Sequence, residues 1–280
     1  MADSSKGIGT AMDHRADQSR PWALGEYGRV AMALQPVADR LIARLGDLGG
    51  QAILDVATGT GNVALAAARA GASVVGVDFT PELLAMARVR ADASGLIVDY
   101  RRGDAEALPV KDASFDVVAS AFGVMFAANH QRTADELVRA CRPGGTIALV
   151  NWVPDGALAT FAGLISATLP SPPGAASPGL WGRESYVRAL LEPGGVRVEF
   201  FTEHVTWEAE SAEAYLATQE GIQGNLVAAH QRLGPGPQWD ELRRRLLEVL
   251  NAGNEDTACC RVSSNALVAI GRVRQSGEPA

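Results

Sequence analysis

The chain has 280 residues, 47% of them hydrophobic, enough to bury one large core or two small ones, which excludes a mini-protein and a disordered chain. Its 32 acids against 25 bases leave a net charge of −7, which argues against a phosphate backbone, and so against nucleic acid, as the main partner. Three cysteines, Cys141, Cys259 and Cys260, give neither a paired framework nor metal-ligand spacing; no metal is expected, and a reducing cytoplasm fits best.

Met1 to Arg20 is polar, mixed in charge and without an apolar h-region, so it reads as a flexible tail rather than a signal peptide. Leu34, Val37, Leu41, Ile42 and Leu45 then recur at helical spacing, and residues 21–48 are expected to form a helical cap over the edge or mouth of a sheet. Pro36 is expected at a helix start, because proline removes a backbone donor inside one. From residue 49 to 152, apolar or β-branched runs alternate with helical patterns: Gln51–Val56, Ser73–Asp78, Ile97–Arg102, Phe115–Ala121 and Thr146–Trp152. Such alternation predicts an α/β core with a parallel sheet. Thr80 and Pro81 punctuate one helix start, with Leu83, Leu84 and Ala87 on its inner face. A helix around Thr133–Cys141 should stop at Arg142-Pro143-Gly144-Gly145 and turn into the fifth strand.

The run from Gly156 to Gly182 carries no charge, but its apolar part, Gly156–Leu169, ends at Pro170 and is too short to cross a bilayer. Val196–Trp207 and Ser264–Arg274 read as two final strands, and Ala212–Asn251 as helix interrupted by Gly234-Pro235-Gly236-Pro237. The expected organisation is therefore a sheet of seven strands, mostly parallel and Rossmann-like, with helices on both faces. Residues 153–195 and 208–260 would cover the substrate, and residues 196–207 and 261–274 would complete the sheet.

The sharpest local signal is Asp55-Val56-Ala57-Thr58-Gly59-Thr60-Gly61-Asn62 after the first strand, where glycines permit a tight turn and close ligand approach at a helix N-terminus. Gly59 and Gly61 with Ala64 also satisfy a relaxed dinucleotide fingerprint, with Asp78 ending the second strand. Asp55 would repel a pyrophosphate and attract an ammonium group. Asp78 can accept both ribose hydroxyls in either reading, and a carboxylate of Gly103-Asp104-Ala105-Glu106 can accept from the adenine amine. Ammonium, ribose and adenine together point to S-adenosylmethionine.

On these residues the chain resembles the class I S-adenosylmethionine-dependent methyltransferases, especially those similar to ubiquinone/menaquinone-biosynthesis and bacterial small-molecule enzymes. The resemblance covers about Gln51 to Trp152. It rests on Leu54-Asp55-Val56-Ala57-Thr58-Gly59-Thr60-Gly61, Val77-Asp78-Phe79-Thr80-Pro81, Gly103-Asp104-Ala105-Glu106-Ala107-Leu108-Pro109, Ser114-Phe115-Asp116-Val117-Val118 and Arg142-Pro143-Gly144-Gly145, in that order. It implies that Asp55 and the loop Ala57, Thr58, Gly59, Thr60, Gly61 and Asn62 surround the methionine moiety. It further implies Asp78 on the ribose, Asp104 with Ala105 at the adenine, and Ser120 and Ala121 beside the sulfonium, with Phe79 and Glu106 as further cofactor-binding candidates.

Methyl transfer from a sulfonium draws chiefly on positioning and exclusion of water, so a dedicated catalytic residue is optional. For a phenol, enol or acidic carbon, the candidate bases are His230, in the variable insertion, and His130, just after the fourth strand; the alternatives are a packing histidine and a turn residue. His204 and His14 are given no role. Phe122, Met125 and Phe126 stand at the carboxyl edge and are candidates for substrate contact, against core packing. Trp22 and Tyr27 are candidates to close over the cofactor, against helix packing, and Trp152 and Trp181 to wall the substrate, against anchoring the core. Between Pro143 and Gly182 the only charge is Asp155, which favours a lipophilic or aromatic small acceptor, unless these residues only bury a cover helix through Leu158, Phe161, Leu164, Ile165 and Leu169. The expected reaction is O-, N- or C-methylation yielding S-adenosylhomocysteine, by a monomer or homodimer without stable membrane insertion. The alternatives are a cyclase that keeps the cofactor as a structural element and a cofactor-binding protein without turnover.

Overall fold

The computed structural model describes residue 22, residues 24–170 and residues 174–275; the expected tail, Met1 to Arg20, lies outside them, as do two of the prolines after Leu169, Pro172 and Pro173. The elements in chain order are α1 (Tyr27–Arg44), β1 (Ala52–Val56), α2 (Asn62–Arg69), β2 (Ser73–Asp78), α3 (Pro81–Ala93), β3 (Asp99–Arg102), β4 (Phe115–Ala121), α4 (His130–Ala140) and β5 (Cys141–Trp152). They continue with α5 (Gly156–Ser166), α6 (Glu184–Leu191), β6 (Val196–Ala209), α7 (Ala212–Ile222), α8 (Gly224–Leu233), α9 (Pro237–Ala252) and β7 (Cys260–Val273). Among the described residues no helix is long and apolar enough to cross a membrane.

The sheet has seven strands in the order β3-β2-β1-β4-β5-β7-β6, parallel except that β7 runs against both its neighbours. Strand alternation sends side chains to opposite faces. Ile53, Val117, Ala119, Ala148 and Val150 pack under α1, α2 and α3, whereas Leu54, Val118, Ile147 and Leu149 pack against α4 and α6. A third apolar cluster joins α5, α7, α8 and α9 to the start of β7 through Phe161, Ile165, Leu216, Leu226, Leu246 and Val262. The charge-free run thus contributes Phe161 and Ile165 to the interior of the helical cap, with Leu158, Leu164 and Leu169 packed partly buried beside them.

Several local expectations are corrected. Pro36 lies inside α1; it faces solvent, and Met32, the residue whose carbonyl loses its partner, is 69% exposed, so water can satisfy that oxygen. The third strand starts at Asp99 rather than Ile97, whose side chain is 93% exposed at the sheet edge. Helix α4 passes directly into β5: Phe115 pairs with Cys141 and Val117 with Thr146, so residues 142–145 bulge from the strand, with Gly144 at φ +76°. Strand β7 begins at Cys260, four residues before the expected Ser264. The long helical stretch breaks a second time at Gln223, which is extended (φ −85°, ψ 113°) between Ile222 and the weak helix former Gly224.

Candidate active site

In the strand order, β1 and β4 are neighbours from which the chain winds in opposite directions, the place where open α/β sheets hold ligands at their carboxyl ends. Three peptide conformations built there are unusual. Ala57 and Phe122, the residues just beyond β1 and β4, hold left-handed φ values of 54° and 58°, and Gly59 holds 55°. For the two residues with side chains this conformation costs of order 1–3 kcal/mol each and marks a segment over-determined by its surroundings. The two strand ends press together: a Cβ on Gly123 would lie 2.6 Å from the Ala57 Cβ.

The glycine loop is fixed from behind by Asp55. Its Oδ2 accepts from the Thr58 hydroxyl at 2.5 Å and from the Ala64 amide at 3.0 Å, satisfying an otherwise free donor in the first turn of α2. Asp55 is 1% exposed, and burial pushes its carboxyl up to about 7. Standing between Leu54 and Val56, it projects to the face of α2, under the loop, and is absent from the cleft lining.

Asp78 stands in the cleft wall. Its Oδ2 accepts the Gly59 amide at 2.8 Å and its Oδ1 the Thr80 amide at 2.8 Å, so one carboxylate sets the loops after β1 and β2 and keeps lone pairs for a ligand. Burial raises its pKa. Burial, then the nearby Asp78 charge, push the Tyr27 phenol up to about 12, and Tyr27 Cε1 is 3.8 Å from where a Gly59 Cβ would stand. After β3, Asp104 Oδ1 accepts the Glu106 amide at 2.8 Å and Glu106 Oε1 accepts the Asn129 amide at 2.9 Å, which ties this loop to the start of α4. Glu136 accepts the Leu108 amide at 2.6 Å and pairs with Arg139 at 2.7 Å, bracing the same loop.

The cleft so formed is lined by Ala57, by Val77, Asp78 and Phe79, by Gly103 to Glu106, and by Gly123 and Phe126 to Ala128. Gly103 is required, since a Cβ there would meet Pro109 Cδ at 2.5 Å and Val77 Cγ1 at 2.9 Å. Among the described residues of that lining, the charged ones are Asp78, Asp104 and Glu106. A neutral nucleoside with a cationic tail meets hydroxyl acceptors and favourable charge there. The donor set fits S-adenosylmethionine.

Six of the fifteen cofactor candidates, Ala57, Asp78, Phe79, Asp104, Ala105 and Glu106, line the cleft. Thr58 and Thr60 are buried in the loop beneath, with Gly61 capping α2 at φ +88° and Asn62 opening it. Ser120 is buried at the end of β4 and its hydroxyl accepts the Val124 amide at 3.3 Å; Ala121 packs toward α2. Above the cleft, Trp22 packs edge-on against Phe126 at 4.6 Å and against Tyr27 at 5.8 Å, and Phe126 is 45% exposed.

The histidines stand elsewhere. His130 is 2% exposed, its Nε2 3.2 Å from the Met125 carbonyl and its Nδ1 3.1 Å from the Tyr186 hydroxyl. The carbonyl requires Nε2–H, so Nδ1 accepts from Tyr186 and neither nitrogen is free; burial lowers its pKa. His230 is exposed on α8, its ring 4.4 Å from Trp239, and lines no part of the cleft. Met125 is 3% exposed and Trp181 0%, both in the core beneath α4 and α6, the place that the packing alternative describes for each. Phe122 stacks on Trp152 at 4.0 Å, and Trp152 meets Trp207 at 5.6 Å, a row of rings across the ends of β4, β5 and β6.

Sequence reasoning missed Gly123, Ala127 and Ala128 in the cleft wall. No residue pattern marks small residues there; only the approach of β4 to the glycine loop does.

A model of a methyltransferase domain matches residues 54–149. An uncharacterized protein of Mycobacterium tuberculosis is 46% identical over 190 residues, which cover 66% of this chain and 66% of that one. The demethylmenaquinone methyltransferase of Thermus thermophilus is 45% identical over 104 residues, 36% of this chain and 47% of the enzyme. Among solved structures, a putative methyltransferase from Bacillus halodurans superposes with a TM-score of 0.60 at 22% identity, over 85% of this chain and 99% of that one.

Proposed function

Because the chain belongs to the class I S-adenosylmethionine-dependent methyltransferases, we propose that it transfers the donor's methyl group to a small lipophilic or aromatic metabolite. The observation that carries the donor assignment is the cleft at the β1/β4 divide, whose described lining includes the carboxylates of Asp78, Asp104 and Glu106. In this reading Asp78 takes the ribose hydroxyls, the loop of Asp104 to Glu106 takes the adenine, and the backbone of Ala57 to Gly61 takes the methionine moiety. Asp55 acts on that moiety through the loop it holds. When bound, S-adenosylmethionine supplies an electrophilic methyl on a sulfonium.

The chain's own part is to position and to exclude water. The left-handed residues Ala57 and Phe122 bring two strand ends to one point, and Tyr27, Trp22 and Phe126 cover it. His130 has both nitrogens engaged and His230 stands on the cap surface, so neither is assigned a proton from the acceptor. An acceptor that arrives already acidic or nucleophilic suits such a site.

The lipophilic character of the acceptor is supported by the rings at the strand ends, Phe122, Trp152 and Trp207, and by the exposed Phe126 in the cleft lining. The charge-free run does not support it, since its apolar side chains fill the cap. The Thermus match covers too little of this chain to carry its acceptor over. The test is incubation with methyl-tritiated donor and a panel of phenols, hydroquinones and amines. Label in a solvent-extractable product supports transfer to a lipophilic acceptor. Label only in water-soluble product rejects the acceptor class. Turnover to a rearranged, unlabelled product with the donor intact rejects transfer.

A further inference from the structure

Helix α3 sends one guanidinium out of its last turn into the space between α1 and the glycine loop. Arg90 Nη1 reaches the Thr60 carbonyl at 2.7 Å, the Thr60 hydroxyl at 2.8 Å and the Asn62 side-chain oxygen at 2.7 Å. Its Nη2 donates to Gln35 Oε1, on α1, at 2.8 Å. Gln35 in turn donates to the Asn62 carbonyl at 3.1 Å, and Asn62 donates to the Ala31 carbonyl at 2.7 Å. None of Arg90's partners belongs to its own helix, and each of its own acceptors is a neutral oxygen; Gln35 also donates to Asp39 Oδ1, within α1, at 2.9 Å.

The position of this cluster gives it a consequence for the cleft. Ala31 lies one helical turn after Tyr27, so the bonds from Asn62 and Gln35 fix the turn of α1 that carries the Tyr27 ring toward Gly59 and Asp78. Tyr27 supports Trp22, and Trp22 leans on Phe126. On its other side the same segment is seated on the cap: a Cβ on Gly25 would lie 2.7 Å from the Ile222 carbonyl. The planar fork of arginine holds Thr60 through one nitrogen and Gln35 through the other, in a fixed relative geometry.

We propose that Arg90 is a positioning residue for the donor: it latches α1 to the glycine loop and thereby holds Tyr27 and Trp22 over the cleft without touching the ligand. The inference rests on the donor assignment above only for its consequence, since the latch itself exists in the protein alone. Because Arg90's acceptors are neutral, the latch is held by geometry rather than by a buried ion pair, and an uncharged change on either side opens it.

The test has two arms. In the ligand-free protein, Arg90→Met and Gln35→Leu should each speed hydrogen exchange of amides in residues 27–35 at least tenfold, with β1 and β4 unchanged. By calorimetry, Arg90→Met should raise the Kd for S-adenosylhomocysteine at least tenfold in the otherwise unaltered protein, but less than twofold when Trp22 and Tyr27 are both alanine. Should Arg90→Met fail to fold, Gln35→Leu carries both arms, since it breaks only the α1 side. Unaltered exchange in residues 27–35, or an equal loss of affinity in both backgrounds, overturns the latch. Absence of binding by the unaltered protein overturns the donor assignment instead, and the exchange arm still decides the latch.

Discussion

Gly123 and Ala57 touch where β4 and β1 end: the hydrogen that stands in place of a Cβ on Gly123 faces the Ala57 methyl and carbonyl, which a real Cβ would approach to 2.6 Å and 2.7 Å. The second contact is with backbone, so it cannot be relieved by turning a side chain. Gly123→Ala should therefore push the glycine loop out of place, costing about 1–3 kcal/mol of stability and weakening S-adenosylhomocysteine binding. Gly28→Ala, in the first turn of α1 where nothing stands within 4 Å, is the control: alanine is the better helix former, so stability should hold or rise by up to about 1 kcal/mol and binding should be unchanged. Thermal melts with and without ligand measure the two effects together.

Asp78 joins the loops after β1 and β2 through the Gly59 and Thr80 amides. Asp78→Ala should lower affinity for S-adenosylhomocysteine by about 2–4 kcal/mol, because a ribose loses charge-assisted bonds and two backbone donors lose their acceptor. Asp78→Asn keeps one acceptor and should fall between the two. Calorimetry that finds the alanine variant within twofold of the original would remove Asp78 from the ribose site.

The strand ends and the glycine loop were legible because they are short-range matters: β-branched runs alternate with helical patterns, and Gly59 and Gly61 lie in one turn. The direction of Asp55 was legible in principle, since alternation from Leu54 and Val56, whose side chains share the α4 face, turns it to the other face. What the chain hides is long-range. The partner of His130 is Tyr186, 56 residues away, and no local pattern ties them. The charge-free run looked like a pocket wall until α7, α8 and α9 closed around it. A proline inside α1 was unexpected because its tolerance depends on which side of the helix faces water.

His130 tests the difference between a base and a packing residue. With Nε2–H directed to the Met125 carbonyl and Nδ1 taken by Tyr186, His130→Ala should cost about 2–3 kcal/mol of stability through lost buried hydrogen bonds. The pH dependence of kcat should keep its shape. A lost limb between pH 5 and 8 in the variant would return His130 to the chemistry.

Asp55 gives the clearest pH signature. Its carboxyl is raised from 3.8 to about 7, first by burial and more weakly by the Asp78 charge, against lowering bonds from Thr58 and Ala64. A raised folded pKa means that the native state holds a proton the unfolded chain has already released. The contribution to stability is therefore complete below about pH 4, declines as pH rises through 7, and is gone above it. Asp55→Asn keeps an oxygen for the Thr58 hydroxyl and the Ala64 amide but cannot ionise. From pH 5 to pH 8 the stability of the Asn variant relative to the original should rise by roughly 2–3 kcal/mol, at about 1.4 kcal/mol per pKa unit. Parallel denaturant titrations at the two pH values measure it, and a constant difference would place an ionised Asp55 at both.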